Sequence, residues 1–122
     1  MKPVVLVIED NEQNMYLMRF LLEKNGFTVL EATDGISGVE LAKKEKPDLI
    51  LLDIQLPRMD GDTVARELRK NSDLNNTLIV AVTSYAMAGD RELSIASGAD
   101  GYIEKPIDPE TFIEQITKYL NE

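Results

Sequence analysis

A chain of 122 residues that is 43% hydrophobic is ordinary for one globular domain with a single core. It contains no cysteine and no histidine, which removes disulfides, thiolate and imidazole chemistry and phosphohistidine carriage, and restricts any metal to a hard cation held by oxygen, Mg²⁺ or Ca²⁺. A net charge of −9, from 22 acidic and 13 basic residues, opposes nucleic-acid binding, and no apolar stretch or leader pattern points to a membrane or to export, so a cytoplasmic protein is expected.

The unbroken apolar run Val4-Val5-Leu6-Val7-Ile8 reads as a buried strand of a parallel sheet and ends in Glu9-Asp10. Glu12 to Lys24 carries Met15, Met18, Leu21 and Leu22 at helical spacing, with Asn25-Gly26 as the stop. The methionines suit core packing better than a cofactor face. Phe27 to Leu30 predicts a second strand. Ile36, Val39 and Ala42 mark a helix that ends before Pro47, with Lys43, Lys44 and Lys46 where cations suit the helix dipole. Leu49 to Leu52 is the third strand and delivers Asp53 at its carboxyl end.

Beyond it, Thr63 to Lys70 predicts a helix, and Leu78 to Val82 a fourth buried strand ending in Thr83-Ser84. A helix over Asp90 to Ser97, stopped by Gly98, leads to a short strand at Tyr102-Ile103 and then to Glu104-Lys105-Pro106. The last helix takes Asp108 as N-cap and Pro109 as its first residue, and turns Phe112, Ile113, Ile116 and Leu120 inward. Five strands alternating with five helices predict a doubly wound α/β fold, a (βα)5 flavodoxin-like three-layer sandwich, with no internal break into a second domain.

If the strand order of such a sheet is 2-1-3-4-5, the first and third strands are neighbours, and Glu9, Asp10 and Asp53 converge at the crevice beyond their carboxyl ends. Three carboxylates at close range oppose one another's ionisation, and a divalent cation resolves that conflict. Thr83 ends the strand beside Asp53, and Lys105 follows the fifth strand as a point charge. Acids, a hydroxyl and a lysine, each at a different strand end, suit in-line phosphoryl transfer to a carboxylate. Taken one at a time, these residues have ordinary readings: a strand-end turn for Glu9-Asp10, a β-branched strand residue for Thr83, a surface lysine before a proline turn for Lys105, a core aromatic for Tyr102. Their order and spacing together favour the functional reading.

The whole chain resembles the receiver domain of bacterial response regulators, through Glu9-Asp10-Asn11, Asp53 with Pro57, Met59, Asp60 and Gly61, then Thr83, Tyr102 and Lys105-Pro106. Asn11 and the run Ala86-Met87-Ala88-Gly89-Asp90-Arg91 are similar to receivers of hybrid kinases and to DivK-type single-domain regulators. The resemblance implies Asp53 as phosphoacceptor, and Mg²⁺ held by Asp10, Asp53 and the backbone carbonyl of Gln55, with Glu9 acting through water. It implies Thr83 and Tyr102 as a switch pair, Lys105 aimed by a cis bond to Pro106, and Gln55 and Tyr85 as positions that tune phosphoryl lifetime. Ser84 stands where alanine is usual. The implied partners are a sensor histidine kinase or histidine phosphotransfer protein upstream and a target protein downstream. The chain runs from the first strand to the last helix, so a stand-alone receiver over residues 1–122 without an output domain is expected, acting as a regulator and not an enzyme. The competing readings are a pseudo-receiver that binds partners without phosphorylation, and a phosphohydrolase, which would require a further general acid and a substrate cap.

Overall fold

Three apolar runs in the sequence become the three central strands of a five-stranded parallel sheet. The computed structural model describes residues 3–53, 61–83 and 98–121, with β1 at Val4–Ile8, β2 at Thr28–Ala32, β3 at Leu49–Asp53, β4 at Leu78–Thr83 and β5 at Gly101–Glu104. The order is β2-β1-β3-β4-β5, the order under which the strand-end acids are expected to converge. Gln55, Pro57, Met59, Asp60, Ser84, Tyr85 and the helix expected over 90–97 lie outside the described residues.

Because successive side chains point to opposite faces of a strand, the sheet divides its apolar residues between two cores. On one face Leu6, Ile8, Ile50, Leu52, Ile79 and Ala81 meet Val39 and Ala42 of α2 (Gly35–Glu45) and Val64 and Leu68 of α3 (Gly61–Arg69). On the other, Val5, Val7, Leu49, Leu51, Val80 and Val82 pack on Met15, Met18 and Leu22 of α1 (Glu12–Lys24) and on Phe112 and Ile116 of the C-terminal helix (Phe112–Leu120). Full burial of such side chains is worth about 1.5–3 kcal/mol each, so the two cores fix the sheet and hold its carboxyl edge rigid.

Local chemistry sets the ends of the helices. Asn11 caps α1 by accepting the Asn14 N–H at 2.9 Å, and Gly26, at φ +90°, turns the chain out of it as the stop signal predicts. Asp34 caps α2, accepting the Ser37 N–H at 2.8 Å.

Several boundaries depart from the sequence reading. β2 begins at Thr28, not Phe27, and continues to Ala32, because its five residues pair in turn with Val4 to Ile8; Glu31 lies within it, on the exposed edge strand. Ile36 is exposed, although it fits the apolar spacing of α2. Asp108 does not open the C-terminal helix directly. Its side chain accepts the Glu110 N–H at 3.0 Å and its carbonyl accepts from Thr111 and Phe112, forming a turn from which the regular helix departs at Phe112. A 3₁₀ turn at Ser72–Leu74, unforeseen in the sequence, buries Leu74.

Candidate functional site

The register of the sheet brings the strand-end residues together. Ile8 pairs with Leu52, so Glu9 and Asp53, one residue further on each strand, emerge side by side. Asp53 pairs with Val82 and Thr83 with Glu104, which places Thr83 just beyond Asp53 and Lys105 just beyond β5. Two backbone bonds tie these ends down, Glu9 N–H to Ala32 C=O at 3.0 Å and Lys105 N–H to Thr83 C=O at 2.7 Å. The Lys105–Pro106 bond is cis.

Glu9, Asp53 and Thr83 are all buried, at 1%, 3% and 3% exposure, while Asp10 stands at the exposed rim. Lys105 Nζ lies 3.2 Å from Glu9 Oε1 and 3.3 Å from Asp53 Oδ2, bridging the two carboxylates. Glu9 Oε2 accepts the Asn11 N–H at 3.2 Å. Among the described residues its other oxygen makes no aligned hydrogen bond, so it meets Lys105 as an ion pair. Burial pushes the Glu9 carboxyl up to about 7; the neighbouring Asp53 carboxylate adds to the rise, against the Asn11 N–H and Lys105. This edge of the sheet carries more negative charge than one lysine neutralises.

One oxygen from each of Glu9, Asp10 and Asp53 falls within 4.8 Å of the others. An all-oxygen set at that spacing fits Mg²⁺, which takes one or two carboxylates directly and keeps several waters. Glu9 Oε1, ion-paired with Lys105 but without a hydrogen bond among the described residues, has lone-pair capacity left for a further partner. The residues present therefore fit the cation.

Of the sequence-predicted site residues, Glu9, Asp10, Asp53 and Lys105 form one cluster, with Thr83 at its edge. Tyr102 sits apart, on β5, half-buried and packed against the core between the sheet and the α2–α3 layer. Gln55 and Tyr85 lie outside the described residues. The backbone N–H of Asn11 as a partner of Glu9 escaped sequence reasoning. Its only signal is the Asn cap two residues after the acid, which forces a tight turn.

Fold and site together define a doubly wound α/β protein with an acidic, lysine-bridged centre at the carboxyl edge of its sheet. The chain belongs to the response regulator receiver domain family, which it matches over residues 5–117. It is 42% identical over 118 residues to the polar-differentiation response regulator DivK of Brucella anthropi, covering 97% of this chain and 96% of the relative. Among solved structures, the receiver domain of the sensor histidine kinase PA1611 from Pseudomonas aeruginosa, with a magnesium ion in its active-site cleft, is 30% identical with a TM-score of 0.91 over the whole of both chains. The chemotaxis response regulator CheY4 of Vibrio cholerae is 26% identical with a TM-score of 0.93, covering 97% of this chain and 98% of that one.

Proposed function

We propose that this chain is a Mg²⁺-dependent phosphoaspartate switch of the DivK type, with Asp53 as phosphoacceptor and protein contacts as its output. The observation that carries the reading is the Lys105 ammonium held between Glu9 and Asp53 at 3.2 and 3.3 Å. An ammonium there serves no core-packing purpose, but it stands ready to pair with a phosphoryl oxygen once Asp53 is esterified. The match to DivK across 96% of that relative's length supports a regulator acting as a stand-alone receiver.

The donor chemistry follows from Asp53. A carboxylate oxygen attacks phosphorus in line, a P–O bond forms as the P–N bond of a phosphohistidine breaks, and the departing imidazole keeps the electron pair and takes up a proton. A histidine kinase or histidine phosphotransfer protein is the fitting donor. Asp10, Asp53 and the Gln55 carbonyl would hold Mg²⁺, with Glu9 acting through water; the ion supplies positive charge against the oxygens of the transferred group. Thr83 donates its hydroxyl to that group, and Tyr102 responds from the neighbouring strand. Gln55 and Tyr85 are the positions that set phosphoryl lifetime. No helix among the described residues is long and apolar enough to cross a membrane, in keeping with a cytoplasmic place of action.

Intact mass after incubation with a small acyl phosphate and Mg²⁺ tests this reading, for wild type and Asp53→Asn. One Mg²⁺-dependent phosphoryl adduct on wild type, absent from the variant, is expected. No adduct, with Mg²⁺ binding demonstrated and the donor active on a control receiver, would replace the switch by a phosphorylation-independent binding module.

A further inference from the structure

Among the described residues β5 is an edge strand, paired only with β4, so every second residue turns its N–H and C=O away from the sheet. At Tyr102 both groups meet a single side chain. The Tyr102 N–H donates to the Tyr119 hydroxyl oxygen at 3.3 Å, and the same hydroxyl donates to the Tyr102 carbonyl at 3.3 Å. Tyr119, in the last turn of the C-terminal helix, thus stands in for a sixth strand at one residue of the edge.

The approach depends on Gly101. A Cβ there would overlap the Cε1, Cζ and hydroxyl oxygen of Tyr119, so only glycine lets the ring lie across the strand. The two tyrosines also belong to different layers. The Tyr102 ring packs with the α2–α3 core, whereas Tyr119 packs with the core under α1 and the C-terminal helix. Their hydroxyl-to-backbone link is therefore a mechanical connection around the rim of the sheet. Both residues also line a cavity of about 430 Å³ between β5 and the C-terminal helix.

We infer that Tyr119 is a positioning residue that couples the C-terminal helix to Tyr102, so that the state of Asp53 is transmitted to the last turn of that helix. The inference rests on the reading of Asp53 as phosphoacceptor and Tyr102 as part of the switch. Tyr102 cannot shift its backbone without disturbing the hydroxyl bonded to both of its polar groups, and the Tyr119 ring lies directly against Gly101.

The test uses the full chain labelled with ¹⁵N and 3-fluorotyrosine, before and after phosphorylation by a small acyl phosphate with Mg²⁺, with adduct formation checked by intact mass. In wild type, the fluorine resonance of Tyr119 and the amides of 112–120 shift when the adduct forms. In Tyr119→Phe the adduct forms equally and Tyr102 still responds, but the mean shift over 112–120 falls by at least half. A purely structural tyrosine would leave that phosphorylation-dependent difference intact. A complete adduct with an unresponsive Tyr119 in wild type overturns the inference alone, and so does an undiminished helix response in the variant. Absence of any adduct on wild type overturns the phosphoacceptor reading and this inference with it. An unresponsive wild-type resonance overturns the inference even if the variant folds poorly.

Discussion

Lys105 reaches over the carboxyl ends of β4 and β3 to stand 3.2 Å from Glu9, so an ammonium from one side of the sheet pairs with a buried acid from beyond its middle. That pairing restrains the two acids. Removing the ammonium leaves Glu9 and Asp53 together in a shielded site, and a divalent ion then meets less opposing charge. At pH 8, where the acids are ionised, Lys105→Met is expected to bind Mg²⁺ more tightly by at least about threefold, since removal of a like charge a few ångströms away is a kcal/mol-scale effect at a protein surface. Isothermal titration of both proteins checks this; weaker binding by the variant would mean that Lys105 organises the acids rather than opposing the cation.

Glu9 gives the protein a pH dependence opposite to that of a surface carboxylate. Its folded value, about 7, lies above the ordinary 4.5, so between those values the folded chain holds a proton that the unfolded chain has lost. The resulting stability is fully present below pH 4.5 and disappears as pH rises through 7. At about 1.4 kcal/mol per pKa unit, the loss is on the order of 3 kcal/mol. Urea unfolding in metal-free buffer from pH 5 to 8 should therefore show wild type losing stability relative to Glu9→Gln, with Mg²⁺ restoring it at pH 8. Parallel curves for the two proteins would show that Glu9 does not titrate there.

Much of this arrangement was legible because β1, β3 and β4 are buried on both faces. Unbroken runs such as Leu49-Ile50-Leu51-Leu52 allow no other reading within a parallel sheet, and once those strands are placed, Glu9, Asp53 and Thr83 must share an edge. Less legible were features that depend on contacts distant in sequence. β2 is half exposed and owes its length to pairing with β1. Asp108-Pro109 carries an N-cap signature, yet its hydrogen bonds close a turn before the helix. The 3₁₀ turn was signalled only by Asn71-Ser72-Asp73 before an isolated Leu74, and Tyr119 looks like any other residue on an amphipathic helix until Gly101 is seen beneath it.

Thr83 should separate acceptance of the phosphoryl group from the response to it. Its buried position at the end of β4, one residue beyond the partner of Asp53, lets its hydroxyl meet a group on Asp53 without taking part in the attack. Thr83→Ala should therefore reach an adduct yield within about fivefold of wild type, since hydrogen-bond loss of this kind costs roughly 1 kcal/mol or less at an adaptable site, while the fluorine resonance of Tyr102 loses more than half of its phosphorylation-dependent shift. An equal shift in both proteins would remove Thr83 from the switch.

Arg69 locks the far side of the fold, and its role is one of stability. From the end of α3 its guanidinium donates to Gly98 C=O at 3.0 Å, to Leu74 C=O at 2.9 Å and to Asp100 at 2.5 Å. Asp100 in turn accepts the Ile79 N–H at 2.8 Å, so one side chain joins α3, the 3₁₀ turn, the start of β4 and the approach to β5. The ion pair alone is partly exposed and worth little. The weight lies in the two carbonyls, which a planar fork of donors satisfies together and a lysine cannot. Arg69→Ala should lose about 1–3 kcal/mol in urea unfolding, and Arg69→Lys should lose most of that despite keeping the charge. A lysine variant as stable as wild type would show that charge, not the geometry of the fork, is what joins these segments.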